Sequence, residues 1–379
     1  MALLFNELSV DICGNHSAEK LLLDEYSLLP TTTKKPCLSF NVTGLNIEPD
    51  LHGQTVGDKI YVSKNSVFIN NRSFDHNGDT GFALKIEGHP FTSKYLEIDA
   101  ICDPDVISTT LKKRIIEWFY IRKNWNYLSK LEVTAKNLIY DALEPILHLR
   151  MLQINRGFLH ASSIMYGNDV MLFPGGVGAG KTGICIELID RGGYKFMSDD
   201  LSMIGTDGMA YVYPKRMQIY AHNTQGNPNL HSRIMKDRGF SDKLQWKLHE
   251  RFRGPSKARR RVSPVTVFGR DNIGDYGKIS KVVHVVRCDN SYTKFIKSNS
   301  VELADRCANE IAYEFSNFLN YMRDWHTIDP AIPTADEVIN ASKYIYEQAF
   351  NDAECYSFIV PRNSSPSDLV NEIESILND

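Results

Sequence analysis

The chain has 379 residues, of which 42% are hydrophobic and 23% are charged, with a net charge of −3 at pH 7. This composition is typical of a globular protein with one large domain or two ordinary ones, without low-complexity segments. The small net charge gives the whole molecule no electrostatic preference for nucleic acid or a membrane surface. No apolar run approaches the roughly 18 residues that cross a bilayer, so the sequence predicts no membrane segment.

The seven cysteines are scattered along the chain, and no two of them form a C-x-x-C pair. An odd, dispersed set predicts neither a disulfide framework nor a structural zinc site. The first residues also lack the basic region that opens a signal peptide. We therefore expect a reduced, cytoplasmic protein.

The first third of the chain predicts a β-rich region. Residues 1–36 are interpreted as a short leader that ends in a turn-rich stretch. After it, Gly, Asn and Asp clusters separate short runs of β-branched and aromatic residues. These runs are 39–42, 59–62, 66–69, 83–86 and 96–98. We expect a β-rich N-terminal region over residues 1–102, which is either a plain scaffold or a platform for substrate.

Helical spacing of apolar residues follows, over 106–127 and 135–154. Pro145 predicts a kink or a break in the second of these helices, because its ring removes a backbone donor. His148 lies near the apolar stripe of that helix. We expect it to be a packed or surface histidine rather than a ligand.

A β-hairpin is predicted next, with Gly167 and Asn168 as its two-residue turn. In that register the numbers of paired residues sum to 335. His160 then faces Gly175 at the end of the second strand. This position makes His160 a candidate functional residue, with a purely structural histidine as the alternative.

The second hairpin strand runs into a G-x-x-x-x-G-K-[ST] motif, which is followed by a helix-like run. Glycines let such a loop curl its N–H groups toward one anion, and the helix start adds its positive dipole end. The lysine can reach the outer phosphates, and the Thr hydroxyl can ligate Mg²⁺. The sequence therefore predicts a nucleoside triphosphate site, against the alternative of a glycine-rich turn that binds nothing. Its residues are Gly175, Gly176, Val177, Gly178, Ala179, Gly180, Lys181 and Thr182.

Asp199 and Asp200 end the next predicted strand, after a helix that Gly192 and Gly193 stop. About eleven helical residues carry the chain roughly 16 Å away from the phosphates. Five or six strand residues bring it back about as far. We therefore expect both acids at the level of the glycine-rich loop, where α/β folds place their ligands. On a continuous strand only one of them would face the phosphates.

A second hairpin (201–204 and 209–213) and a strand over 217–220 are predicted after the acids. Arg216, between them, is a candidate contact for phosphate or substrate, with a solvated arginine as the alternative. Residues 229–261 then carry eleven Lys and Arg against three acids, a local charge of +8. This basic segment has three open interpretations: a lid for phosphoryl transfer, a docking site for an acidic peptide or nucleic acid, or a solvated face.

The last third returns to alternating strands and helices. A strand is predicted over 279–286 and another over 355–361, with helices over 301–325 and 334–350 between them. Residues 366–377 form an amphipathic closing helix in this prediction. Ser365 or Ser367 is expected to cap it.

Four motifs in this order resemble the core of the HPr kinase/phosphorylase-like kinases, whose P-loop fold is shared with phosphoenolpyruvate carboxykinases. They are Gly157-Phe158-Leu159-His160-Ala161-Ser162, the loop from Leu172 to Thr182, Arg191-Gly192-Gly193-Tyr194, and Ser198-Asp199-Asp200-Leu201. The similarity is clear over about residues 155–220 and continues weakly to the closing helix. It does not cover the first hundred residues. The E-x-R-G-x-G signature of true HPr kinases is absent, so HPr is not the expected substrate.

The resemblance implies a role for each matching residue. Lys181 and the loop would bind ATP, and Thr182 would help to hold Mg²⁺. His160 would sit beside the phosphates. Asp199 would act as the base on the attacking hydroxyl, with Asp200 as its partner in metal or hydrogen-bond work. Family members without the HPr signature include kinases that modify peptide precursors.

Together these observations predict an α/β fold: a P-loop kinase core with a mixed sheet over residues 103–379, behind the β-rich region. The expected activity is ATP- and Mg²⁺-dependent phosphorylation of a hydroxyl, first of all a serine of a peptide or protein. A small-molecule alcohol kinase and a nucleotide-gated ATPase or binding module are the alternatives. A carboxykinase-like enzyme and a nucleic-acid protein rank below them. Homo-oligomerisation, and ATP against GTP, stay open.

Overall fold

The computed structural model describes residues 2–44, 53–57, 59–63, 66–70, 81–89, 93–102, 128–225, 227–289 and 291–377. In these residues the fold is mixed α/β and includes two sheets of nine strands each. The chain divides into two compact units, Met1–Ile154 with Phe315–Ile339 and Asn155–Glu314 with Asn340–Asp379. The predicted division after residue 102 borders residues 103–127, which lie outside the described part, and it stays a prediction.

The first unit contains a mixed sheet in the order β3-β1-β2-β4-β9-β8-β7-β6-β5. Both pairs that β4 makes, with β2 and with β9, are parallel. All five predicted runs are strands of this sheet. In chain order its strands β1 to β9 are Ala2–Phe5, Leu8–Gly14, Thr31–Thr32, Leu38–Thr43, Gln54–Val56, Ile60–Val62, Ser66–Asn70, Phe82–Glu87 and Leu96–Cys102.

The interpretation of residues 1–36 as a leader is wrong. They form β1, β2, β3 and a helix, and β2 pairs with β4 inside the sheet. Phe5 pairs with Leu8 across a two-residue turn in which Asn6 has a φ of 55°. Asn accepts this left-handed conformation better than most residues.

The helices of the described residues are numbered α1 to α12 in chain order, and α10 belongs to the first unit. Their bounds are Ala18–Glu25, Lys130–Leu138, Glu144–Leu152, Lys181–Arg191, Ala221–Thr224, Pro228–Met235, Phe240–Arg253, Pro264–Phe268, Ser300–Glu314, Ser316–His326, Ala335–Ala349 and Pro366–Leu377. The predicted helix over 106–127 lies outside the described residues. The one predicted over 301–325 is two helices, α9 and α10, which divide at Phe315.

The helix predicted over 135–154, with a kink or a break at Pro145, is irregular directly before that residue. A π-helical turn, Ile139–Leu143, separates α2 from α3, and Pro145 lies in the first turn of α3. Pro145 removes a backbone donor directly after this π-helical turn. His148 is packed as predicted, because its ring lies 5.4 Å from that of Phe315 and burial lowers its pKa to about 3.

The second unit contains the other sheet, in the order β10-β14-β15-β18-β12-β11-β13, with β20 against β18 and β19 against β20. Its central strand, β18, is parallel to both β12 and β20. In chain order β10 to β20 are Arg156–Leu159, Ala161–Tyr166, Asp169–Pro174, Tyr194–Ser198, Ser202–Gly205, Met209–Tyr211, Met217–Tyr220, Arg259–Val262, Tyr276–Cys288, Lys294–Lys297 and Glu354–Pro361. The strands β16 and β17 form a separate pair.

The predicted register of the first hairpin is confirmed, since Tyr166 pairs with Asp169 and Ala161 with Pro174. The run that leads into it, however, is two strands. Leu159 pairs with Ser202 of β14, while Ala161 belongs to β11 between β12 and β13. The chain therefore changes sheet position at His160.

One face of this sheet is covered by α4 and α12. Cys185 and Leu188 of α4 share a hydrophobic core with Leu369 and Val370 of α12. Ser365 caps α12, accepting a hydrogen bond from the backbone N–H of Asp368 at 3.2 Å. The basic segment forms α6, α7 and β17, and a hydrogen-bonded turn at Gly254 joins α7 to β17.

Candidate functional site

The glycine-rich loop follows β12 and ends where α4 begins at Lys181. Gly175, Gly178 and Gly180 have φ values of 151°, 80° and 101°. A side chain at Gly175 would also place its Cβ 2.5 Å from the carbonyl oxygen of Val285. Only glycine fits these positions, so the loop can curl tightly over the end of the sheet.

The start of α4 has the features of an anion site. Gly180 is its N-cap, and in the described part of the chain no side chain caps the first turn. The first N–H groups of a helix lack intrahelical partners and carry the positive end of its dipole. Val177 lies exposed at the tip of the loop, while Ala179 is buried. The predicted phosphate-binding residues therefore surround one helix terminus.

Lys181 is buried, with 7% of its surface exposed. Its ammonium donates to the carbonyls of Gly175 and Gly176 and lies 3.1 Å from Nε2 of His160. Burial lowers the pKa of Lys181. The partners of the ammonium are loop carbonyls and a ring nitrogen, and all three can accept a hydrogen bond.

His160 lies where the structure splits β10 from β11, next to the loop. Burial, and then the charge of Lys181, lowers its pKa to about 4. The ring is therefore neutral at physiological pH. Since Nε2 accepts from the ammonium of Lys181, the ring proton is assigned to Nδ1.

Asp199 follows β13 and reaches the first turn of α4. Its Oδ1 accepts hydrogen bonds from the Thr182 hydroxyl at 2.8 Å and the Ser162 hydroxyl at 2.6 Å. Burial raises the pKa of Asp199 more than these two donors lower it. The predicted return of the chain from α4 to the level of the loop is confirmed by the contact with Thr182.

Asp200 has a φ of 75°, which is uncommon for a residue with a side chain. Because β13 ends at Ser198, both acids lie beyond the strand, and both approach the loop region. Asp200 lies 3.3 Å from the ammonium of Lys215 and 3.7 Å from Nε2 of His160. Desolvation opposes its ionisation, but the charge of Lys215 holds the pKa of Asp200 below its usual value.

The two acids differ in access. Asp199 is 3% exposed, whereas 36% of the Asp200 side chain is exposed. Asp199 is bound by hydroxyls, whereas Asp200 is bound by a buried ammonium. The carboxylate of Asp199 is thus held against α4, and the carboxylate of Asp200 is open on one side.

Three residues at this site had no role in the sequence-based prediction. Ser162 belongs to the Leu-His-Ala-Ser run and stands two residues after His160, so its spacing was the available signal. Lys215, which contacts Asp200, directly precedes the residue singled out instead, Arg216. Arg287, near the end of β18, donates to the carbonyl of Ala179 at 3.0 Å and supports the loop.

The site offers oxygen ligands for a metal ion. Thr182 Oγ1 and Asp199 Oδ1 are neighbours, and Mg²⁺ commonly takes one or two protein oxygens together with waters and phosphate oxygens. This pair is not a preformed cage. Among the described residues no group of three or more His, Cys, Asp and Glu side chains is arranged to hold a metal ion.

Three arginines of the basic segment contact acids near them. Arg233 NH2 lies 2.6 Å from Asp190 on α4. Arg238 and Arg260 converge on Asp242, at 2.7 and 2.6 Å. These three side chains therefore act as ties between elements rather than as a free cluster.

No protein-family model matches this chain, and no curated protein matches it. In the described residues, no helix is long and apolar enough to cross a membrane.

Proposed function

We propose that this protein is a P-loop kinase that uses ATP and Mg²⁺ to phosphorylate a hydroxyl. A serine of a peptide or protein is the first candidate acceptor, and a small-molecule alcohol is the second. The observation that carries the proposal is the 2.8 Å hydrogen bond from Thr182 to Asp199. It joins a phosphate-binding motif to an acid seventeen residues further along the chain, the pairing that phosphoryl transfer needs.

The loop and the first turn of α4 hold the phosphates in this proposal. Their backbone N–H groups and the helix dipole favour a bound anion. Lys181 already donates to the Gly175 and Gly176 carbonyls. It exchanges one of these weak acceptors for a phosphate oxygen, which makes a stronger, charge-assisted hydrogen bond.

Bound ATP with Mg²⁺ supplies the transferable phosphate and a cation that neutralises its charge. The residues that would hold the cation are Thr182 and Asp199. Their oxygens are 2.8 Å apart, close to the roughly 2.9 Å between adjacent ligands of an octahedral Mg²⁺ site. The raised pKa of Asp199 reflects its burial, and a nearby cation lowers the pKa of a carboxylate.

Asp200 is the proton acceptor in this proposal. It is the more exposed acid, and Lys215 holds it ionised. Asp200 takes the proton from the acceptor hydroxyl as the new O–P bond forms and the bond to the departing ADP breaks. The contacts thus favour the reverse of the roles implied by the resemblance, which put the base on Asp199 and the metal on Asp200. His160, which is neutral, holds Lys181 beside Asp200.

Transfer of labelled γ-phosphate from ATP-Mg²⁺ tests the proposal. The acceptors are a pool of serine-containing peptides and a metabolite fraction. We expect the wild type to label an acceptor, and Lys181→Ala and Asp199→Asn to abolish the label. The matched controls Lys195→Ala and Asp169→Asn change exposed residues of neighbouring strands and should leave transfer intact.

The acceptor that is labelled separates the two kinase hypotheses, since one pool holds peptides and the other holds small alcohols. ATP binding and hydrolysis with no labelled acceptor would contradict the kinase and favour a nucleotide-gated module. An equal label with Lys181→Ala would contradict the site itself.

Magnesium titration tests the division of roles between the two acids. We expect Asp199→Asn to raise the Mg²⁺ concentration needed for half-maximal transfer, because it removes a charged ligand. Asp200→Asn should lower the maximal rate at an unchanged Mg²⁺ requirement. The opposite pattern would return the base to Asp199.

A further inference from the structure

A concave surface on the basic segment has no role in the proposed chemistry. It is a cavity of about 460 Å³ between α6 and α7, which we call the α6–α7 groove. Its lining contains no acid. The lining residues are His231, Ser232, Met235, Lys236, Phe240, Lys243, Leu244, Trp246 and Lys247.

The outer face of α7 continues the apolar part of the groove. Phe240, Leu244, Leu248 and Phe252 are spaced four residues apart, so they lie along one side of the helix. All four are exposed, Phe240 by 83% and Phe252 by 66%. Monomeric soluble proteins rarely expose a large contiguous apolar patch unless it binds a partner or a ligand.

A second row of side chains gives this face its charge. Lys243, Lys247 and Arg251 follow the same spacing beside the apolar stripe, and Lys236 adds a cation from α6. The ion pairs that Arg238 and Arg260 make with Asp242 do not include this row of cations. The face is therefore both apolar and positively charged.

Trp246 makes the groove a defined site rather than a flat patch. It is 1% exposed, and its ring packs edge-on against His231 at 6.2 Å. Its indole nitrogen has no hydrogen-bond partner among the described residues. A lining residue thus carries a buried donor, and leaving such a donor without an acceptor costs free energy.

We propose that the α6–α7 groove binds an acidic protein segment that anchors a large apolar side chain. The positive row complements carboxylates, and the cavity has room for a bulky side chain between Met235 and Leu244. A concave site accepts an anchor residue, as peptide-binding grooves do.

Binding of labelled short peptides to the full chain tests this proposal without nucleotide. The peptides vary in net charge, from strongly negative to strongly positive, and in whether they contain Phe or Leu. We expect fluorescence anisotropy to show binding only for acidic peptides that contain an apolar residue. Lys243→Glu/Lys247→Glu should weaken that binding about tenfold, because it replaces attraction by repulsion.

The matched control is Lys294→Glu/Lys297→Glu, which makes the same change of net charge at exposed lysines of β19. It should leave peptide binding unchanged. Phe240→Ser/Leu244→Ser should remove the preference for apolar peptides while acidic ones still bind weakly. Thermal melting of each variant checks that it folds.

Three results would overturn the proposal. One is binding that does not depend on peptide charge, and another is an equal loss in the β19 control. The third is stronger binding to phosphatidylserine vesicles, to a single-stranded oligonucleotide or to a second copy of the chain than to any acidic peptide. None of these outcomes depends on phosphate transfer, so the groove and the kinase site succeed or fail separately.

Discussion

The second unit holds two clusters of buried charge, and they differ in how that charge is neutralised. In the first, Arg238 and Arg260 converge on one carboxylate, Asp242, at 2.7 and 2.6 Å. Arg260 also donates to the side chain of Gln245 and packs over the ring of Trp246. Every charge of this cluster has a close partner of opposite sign or a hydrogen bond.

In the second cluster, around Lys181, the charged groups have weaker hydrogen-bond and ion-pair partners. Lys181 rests on loop carbonyls and a neutral histidine, and Lys215 lies 3.3 Å from Asp200. The backbone of Asp200 has a φ of 75°, in the left-handed region that residues with a side chain rarely adopt. Strained backbone and poorly neutralised charge cost stability and persist at functional sites. The contacts of the Asp242 cluster fit a role in the fold, whereas our proposal assigns a ligand to the cluster around Lys181.

The largest effect on phosphate transfer is expected at the cluster around Lys181, without a loss of stability. Lys181→Met removes the charge and keeps the length, and we expect the transfer rate to fall by about 10²–10³. Stability should stay equal or rise, because a buried, poorly paired charge is gone. Urea unfolding and a transfer assay on the same sample check both. A large loss of stability would place Lys181 with the structural cluster.

The next effect tests the link between the loop helix and Asp199. Thr182→Val removes the hydroxyl that donates to Asp199 at 2.8 Å and keeps the shape. We expect transfer to fall by roughly 10² at limiting Mg²⁺, a loss of about 2.7 kcal/mol in transition-state stabilisation. Thr182→Ser keeps the hydroxyl and is the matched control. Equal rates for the Val and Ser variants would contradict a role of this hydroxyl.

A change in pH dependence should follow from Lys215→Met. Lys215 lowers the pKa of Asp200, so the carboxylate stays ionised until the pH falls through that lowered value. Without the lysine the pKa rises, and the acid limb of the rate profile moves to higher pH. We expect about a tenfold loss of rate in the acid range. Lys195→Met is the control. If the acid limb did not move in Lys215→Met, Lys215 would not control the ionisation of Asp200.

The smallest effect on activity is expected at the structural cluster. Asp242→Asn leaves two arginines without their carboxylate, and we expect it to cost about 2 kcal/mol of unfolding free energy. The transfer rate per folded molecule should not change. Asp305→Asn breaks an exposed pair with Lys343 and should have little effect on either quantity. If Asp242→Asn lost phosphate transfer but kept its stability, the Asp242 cluster would have a role in activity rather than in the fold.

Parts of the site were predictable because local rules govern them. A two-residue turn fixes the register of a hairpin, so Tyr166 and Asp169 pair as expected. The rise per residue of a helix and a strand returns Asp199 to the loop. The glycine positions follow from the motif, and Gly175, Gly178 and Gly180 do adopt the conformations that favour glycine.

Other parts depend on the path of the chain, which a single sequence does not specify. Lys215 comes from the connection between β15 and β16, and nothing in its neighbours indicates that it meets Asp200. The split of β10 from β11 at His160 requires knowledge of which strands pair. Likewise, residues 2–14 became strands because of their partners in the sheet, not because of their own pattern.

Binding of ATP-Mg²⁺, measured by isothermal titration calorimetry, tests the central claim most directly. The claim is that the cluster around Lys181 is a nucleotide site and the cluster around Asp242 is not. We expect the wild type and Asp242→Asn to bind equally, and Lys181→Met to bind at least about tenfold more weakly, a difference of 1.4 kcal/mol. Equal binding by Lys181→Met, or no binding by the wild type, would contradict the account.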